Sequence, residues 1–175
     1  MSQKLPLSQA SDNPRKIPQV IFIEQVEQYA KHYGPQQCLD QLNELYSKYK
    51  FMEAQLLRSK QVLKNKLPDI NNAIQMIDYL RTVQTDMTVD FQLGDNVWTK
   101  AHVPQTDRVG LWLGANVMLE YSHEEAYELL QKNLSNANTA LASTDEDLKF
   151  LKEQITTCEV NIARVYNYCV THRQS

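Results

Sequence analysis

The chain is expected to be mainly α-helical with a small β region: a long antiparallel two-helix coiled coil joined by two β-hairpins. Three observations predict this. Only 4 glycines and 6 prolines occur in 175 residues, about half of what average usage would supply, so few turns are available. Apolar residues recur at intervals of seven in two long stretches, one in each half of the chain. Between them, apolar residues alternate with period two, and three of the four glycines fall there.

The N-terminal residues 1–18 hold three of the six prolines among Ser, Asn and Gln. On composition they read as a disordered tail, unable to bury enough surface to offset ordering entropy. Residues 19–34 place Val20, Ile23, Val26, Tyr29 or Ala30, and Tyr33 at steps of three and four, which predicts a short amphipathic helix. Gly34 and Pro35 end it, and Pro35 suits the first turn of a following helix because its missing N–H falls where no intrahelical partner exists.

The first long helix is expected over 35–87. Leu42, Tyr49, Leu56, Leu63, Ile70 and Ile77 are spaced by seven, with Leu45, Met52, Ala73, Leu80 and Met87 on the partner positions and a weak middle at Ser59 and Lys66. Pro68 lies inside this run and should kink or restart the helix. The second long helix is expected over 122–172, with 173–175 as a tail. Its seam is Tyr127, Leu134, Leu141, Leu148, Ile155, Ile162 and Cys169, partnered by Leu130, Ala137, Thr144, Leu151, Cys158 and Val165. Ser122 followed by Glu125 matches the capping box and sets the start near 123. At 1.5 Å per residue both helices span roughly 75 to 78 Å, lengths that suit an antiparallel pair.

Charge favours the same pairing. Folding the chain about residue 105 sets 44–66, with six bases and two acids, beside 144–166, with five acids and three bases. Each exposed pair contributes only ~0 to 1 kcal/mol, but together they disfavour wrong registers. This fold also places Lys66 beside Thr144, a level expected to be wet and mobile.

Residues 88–121 should form four short strands, broken at Gly94-Asp95-Asn96, at Pro104 to Asp107 and at Gly114-Ala115-Asn116. The inward residues of the two hairpins are Val97, Ala101, Val103, Val109, Leu111, Leu113, Val117 and Leu119. Such short strands leave edges and faces open, and with no other core to pack on they should pair with strands of other subunits. The protein is therefore expected to be an obligate oligomer.

Several function classes are disfavoured. A net charge of −3 gives no electrostatic reason to expect nucleic acid or anionic membrane, and no apolar run approaches the ~18 residues of a membrane span. Cys38, Cys158 and Cys169 are odd in number and widely spaced, which suits a reducing cytosolic setting. There is no GxxxxGK[ST] loop, and two rods with a small sheet offer no concave catalytic site, so no enzyme activity and no cofactor are expected.

The stretch LWLGANVMLEYS at 111–122 with Glu125-Ala126, together with IPQVIFIEQVEQY at 17–29, KYKFMEAQL at 48–56 and EVNIARVYN at 159–167, resembles the α-class prefoldin subunits. The resemblance runs from Ile17 to about Asn167 and rests most on LGANVML. It implies a hetero-hexamer of two α-class and four β-class subunits, whose hairpins complete an inter-subunit β-barrel from which helical arms hang. It further implies ATP-independent capture of unfolded actin and tubulin and their transfer to the cytosolic chaperonin TRiC/CCT. The implied setting is the cytoplasm; a shared subunit of a nuclear prefoldin-like complex and a coiled-coil scaffold are the rivals.

Within that frame the client surface is expected at the arm ends, where fraying exposes Leu39, Leu42, Leu45, Ile162, Val165 and Tyr166, with Val20, Ile23 and Val26 of the short helix at the same end. The bland alternative is that all of these are ordinary coil core. Cys38, Cys169, His172 and His32 lack the paired spacing of a metal site, so small core thiols are expected. Asp145-Glu146-Asp147 splay around the helix as a solvated face, and His102 and His123 have no nucleophile at an identifiable spacing. Trp98 and Trp112 fall on the strand face opposite the inward one and read as subunit-contact or platform-surface residues. Asn133-Leu134-Ser135 matches a glycosylation acceptor only by accident, since Leu134 lies on the seam.

Overall fold

A computed structural model describes residues 5–11 and 13–172. The order of elements is β1 (Ser8–Gln9), β2 (Gln19–Val20), α1 (Val26–Tyr33), α2 (Pro35–Thr82), β3 (Met87–Gly94), β4 (Val97–Val103), β5 (Arg108–Gly114), β6 (Val117–Ser122) and α3 (His123–His172). The chain divides into two compact units, one of residues 1–62 and 141–175, the other of 63–140.

In the first unit, segments of α2 and α3 pack along the expected heptad seam. Leu42, Tyr49, Leu56, Leu151, Ile155, Cys158 and Val165 are all buried, and each of the aliphatic side chains among them contributes roughly 1.5–3 kcal/mol on leaving water. Tyr46 Oη donates to Glu159 at 3.1 Å and Lys60 pairs with Asp145 at 2.6 Å. Folding about residue 105 would have matched 46 with 164 and 60 with 150, so the register is shifted by five residues. The cause is the end of α2, which falls at Thr82 rather than 87. Met87 leaves the heptad because it pairs with Val103 in a β-ladder. Thr144, expected at a wet level, is buried.

The largest correction concerns the N-terminus. Where composition suggested a disordered tail over 1–18, the described part packs onto the coil, and Leu5, Leu7 and Ile17 are buried. Residues 1–4 and 12 of that expected tail, and 173–175 of the expected C-terminal tail, lie outside the described residues. Ser8–Gln9 pairs antiparallel with Gln19–Val20, Ile21 N–H donates to Leu7 O at 2.9 Å, and Ser11 Oγ donates to Ile17 O. Three aliphatic anchors and these local bonds offset an ordering cost that the average composition overstated.

The helix expected over 19–34 is also shorter, since only Val26–Tyr33 is helical. Before it, Val20 N–H donates to Gln154 Oε1 at 2.9 Å and Ile23 N–H to Asn161 Oδ1 at 3.1 Å, so side chains of α3 satisfy backbone groups that a helix would otherwise pair. Gly34, at φ +84°, closes α1 by donating its N–H to Ala30 O at 2.9 Å, a backbone conformation that favours glycine. α2 then runs through Pro68 without restarting. Pro68 is exposed, so water can take the carbonyl freed four residues earlier.

In the second unit the hairpins β3–β4 and β5–β6 form two separate two-stranded antiparallel sheets. Each carries an irregularity beside its turn, after Gln92 and after Trp112. The second turn places Gly114, Ala115 and Asn116 at positive φ. Ser122 and Glu125 form the expected capping box: Glu125 Oε2 accepts the Ser122 N–H at 3.0 Å and its hydroxyl at 2.8 Å, while Ser122 Oγ accepts the Glu125 N–H at 3.3 Å.

The Ser122 donors hold the Glu125 carboxyl below its ordinary range. A depressed carboxylate stabilises above its unfolded pKa, so this contribution is present at neutral pH and is lost as pH falls through the acidic range. Ser122→Ala is expected to cost about 1 kcal/mol at the start of α3. The check is faster amide exchange over residues 123–127 with residues 150–165 unchanged.

Candidate functional site: edge-open hairpins and a pinned N-terminal strap

The hairpins present apolar side chains on both faces. On one face of β3–β4 lie Val97, Thr99, Ala101 and Val103, with Phe91 opposite Thr99 and Val89 opposite Ala101. On the matching face of β5–β6, Leu111 opposes Leu119 and Val109 opposes Tyr121. Of the eight residues expected to face inward, Val97, Leu113, Val117 and Leu119 are exposed, while Ala101, Val103, Val109 and Leu111 are half-buried. The reverse faces carry Trp98 at 59% exposure and, in the other hairpin, Trp112 at 64% beside Met118. Phe91, Leu93 and Met118 are open as well, and were not among the expected contact residues.

A two-stranded hairpin is at best marginally stable alone. Among the described residues neither hairpin pairs with any further strand. Its outer N–H and C=O groups and its apolar faces are therefore available to other chains. Polar contacts steady the base of the unit: Gln105 N–H donates to Asp86 Oδ1 at 3.0 Å, His102 Nε2 lies 3.2 Å from Asp86, and Arg81 pairs with Glu124 while its guanidinium lies 4.6 Å from the Tyr127 ring centroid. Such a cation–π contact was not legible beforehand, because Arg81 and Tyr127 are distant in sequence.

The expected client residues of the first unit do not share one environment. Val20, Ile23, Leu42 and Val165 are buried in an apolar cluster or beside one; Val26, Leu39, Leu45 and Ile162 are half-buried against it. Only Tyr166 is open, at 58%. The N-terminal segment covers the seam that fraying was expected to expose. Phe22, exposed, stacks on Arg164 with 4.9 Å from guanidinium to ring centroid.

A ladder of polar residues on α3 holds that segment down. Asp147, Gln154 and Asn161 are spaced by seven and all buried. Asp147 receives Asn13 Nδ2 at 3.2 Å and pairs with Arg15; Asn161 Nδ2 donates to Ile21 O at 2.9 Å; Arg164 donates to Ile23 O and, at 2.9 Å, to Glu24 O. From α2, Tyr49 Oη donates to Pro18 O at 2.8 Å, and Gln41 Oε1 accepts the Leu5 N–H at 3.0 Å. Asp147, read as part of a solvated face, is thus a buried anchor. The available signal was Asp147, Gln154 and Asn161 recurring at one heptad position flanking the seam.

The three cysteines are free thiols. Burial pushes the Cys158 thiol up to about 11, and burial, with Cys169 nearby, raises that of Cys38. At pH 8 iodoacetamide is expected to label half-buried Cys169 first, with Cys38 and Cys158 reacting only on unfolding; peptide mapping by mass spectrometry reads the order. Among the described residues no three His, Cys, Asp or Glu side chains come together as a metal site, and no helix is long and apolar enough to cross a membrane.

Long helices flanking two hairpins whose edges and faces stay open define a subunit of an assembly completed by other chains. The chain belongs to the prefoldin family of chaperone subunits: the family model described as prefoldin subunit matches residues 36–168. It is similar to prefoldin subunit 3 of Mus musculus, 45% identical over 177 residues that span 95% of this chain and 90% of that one. The Homo sapiens prefoldin subunit 3 is 47% identical over 163 residues, covering 90% and 83%. The probable prefoldin subunit 3 of Schizosaccharomyces pombe is 45% identical over 166 residues, covering 94% and 97%. The fold matches a chain of filamentous PFD from Methanocaldococcus jannaschii, solved by cryo-EM, with a TM-score of 0.55 and 19% identity over 65% of this chain and 94% of that one. Prefoldin subunits assemble into multi-subunit complexes, and this chain is one such subunit.

Proposed function

We propose that the chain is the α-class subunit of a cytosolic hetero-hexamer with one other α-class and four β-class subunits, which captures unfolded actin and tubulin without ATP and hands them to the chaperonin TRiC/CCT. The observation that carries this is the pair of edge-open hairpins bearing Val97, Leu113, Val117 and Leu119. Strand addition by neighbours would satisfy both their backbone edges and their apolar faces. Clients would be held by the open apolar side chains of the first unit, Phe51, Val160, Tyr166 and Val170, each weak alone and summed over several subunits. A coiled-coil scaffold would account for the helices but leaves the hairpins without a purpose.

Expressed alone, the chain should aggregate; co-expressed with β-class subunits it should be recovered as a stable hexamer by native mass spectrometry. That hexamer should suppress aggregation of actin diluted from denaturant. A well-folded monomer in isolation would contradict the proposal.

A further inference from the structure

The N-terminal strap lies on α3 with a regular geometry. Ile17, Val20 and Ile23 are each 5% exposed, whereas the residues between them are half-buried or open. Three residues of extended chain advance about 10 Å, and seven residues of helix advance about 10.5 Å. A chain running alongside α3 therefore meets an equivalent helix position at every third residue. Gln154 and Asn161, seven apart, occupy such positions and take the N–H groups of Val20 and Ile23, three apart.

Between Pro18 and Glu24 the hydrogen bonds from the two long helices go to strap backbone: Tyr49 to Pro18 O, Gln154 to Val20 N, Asn161 to Ile21 O and Ile23 N, Arg164 to Ile23 O and Glu24 O. Side chains of the strap are held further back, where Asp147 meets Asn13 and Arg15, and at Phe22, whose ring stacks on Arg164. Backbone contacts of this kind are indifferent to sequence, and the sockets for Ile17, Val20 and Ile23 ask only for an apolar group. The matched family domain begins at residue 36, so the strap lies outside it.

From this geometry we propose that the groove along Gln154, Asn161 and Arg164 is a binding track for extended polypeptide with an apolar residue at every third position, and that Ile17–Glu24 is its built-in occupant, displaced by extended segments of non-native clients. This rests on the chaperone function proposed above and adds its regulation: the strap competes in cis, so capture requires a client segment that outcompetes it.

The test uses the assembled complex and a fluorescein-labelled peptide of residues 14–25, followed by anisotropy. Deleting residues 1–24 should tighten peptide binding at least about tenfold, because a cis occupant lowers the competent fraction. Adding Gln154→Leu with Asn161→Leu to the deletion should weaken it again by roughly tenfold, since the backbone partners are lost. The triple change Ile17→Ser, Val20→Ser, Ile23→Ser, which leaves both long helices untouched, should open the track as the deletion does. Actin held in denaturant and diluted into the assay should displace the peptide.

Equal peptide binding by intact and deleted complexes, binding indifferent to the two leucines, or failure of denatured actin to compete would each overturn the proposal. Suppression of actin aggregation is measured alongside. Suppression that is intact but insensitive to the strap and to the leucines refutes the track alone; its absence in every form refutes the chaperone function and, with it, the role given to the strap.

Discussion

Aspartate in place of both Leu111 and Leu119 is expected to abolish assembly. The two side chains oppose each other across β5 and β6, so the change puts two carboxylates side by side on the face proposed to be covered by a neighbouring subunit. Removing apolar area weakens the contact, and burying unpaired charge costs several kcal/mol more. A combined loss of roughly 4 kcal/mol already weakens association about a thousandfold. Co-expression with β-class subunits should then yield a complex lacking this chain, by native mass spectrometry. Thr106→Ala, at the link between the hairpins, where the hydroxyl accepts the Arg108 N–H and donates to Arg108 O, each at 3.2 Å, should assemble normally. If the double aspartate variant enters the hexamer, the face is not the interface.

Tyr49→Ala should be the most destabilising single change in the first unit. The side chain is wholly buried between the helices and the strap, in one cluster with Ile17, Val20, Leu151 and Cys158. Truncating a buried aromatic to alanine costs roughly 3–5 kcal/mol. Tyr49→Phe keeps the volume and removes only the bond to Pro18 O, a loss of about 1–2 kcal/mol. Hydrogen exchange on the assembled complex separates them: alanine should expose the strap and both helix segments, phenylalanine the strap alone.

Tyrosine burial also shapes the response to alkali. Burial raises the hydroxyl pKa of Tyr49 and lifts that of Tyr29 to about 12. A group raised in the folded state stabilises fully below its unfolded pKa, near 10 for tyrosine, and that stability is lost as pH rises. The unit should therefore loosen between about pH 10 and 12, and Tyr49→Phe should blunt the loss.

Much of the fold was legible from residue spacing. Heptads at Leu42, Tyr49 and Leu56 and at Leu151, Cys158 and Val165 located the seam because a helix face repeats whatever surrounds it. Ser122 and Glu125 located the start of α3, since the capping box is a local interaction. Glycine and asparagine at 94–96 and 114–116 located the hairpin turns for the same reason. The candidate site was less legible. Val20 and Ile23 sit three apart, a spacing shared by a helix face and by an extended chain laid along a heptad groove, and nothing within residues 19–34 separates the two.

Local chemistry alone settled the elements whose periodicity and caps lie within a few residues of each other: two long helices, two hairpins and their turns. The course of the N-terminal strap, the five-residue shift in helix register and the burial of Asp147, Gln154 and Asn161 depended on the packed chain. Each depends on partners far apart in the chain, such as Asn161 for the backbone of Ile21 and Ile23, about 140 residues away. Propensity acts over one or two turns of chain, whereas a buried hydrogen bond forms wherever folding brings donor and acceptor together.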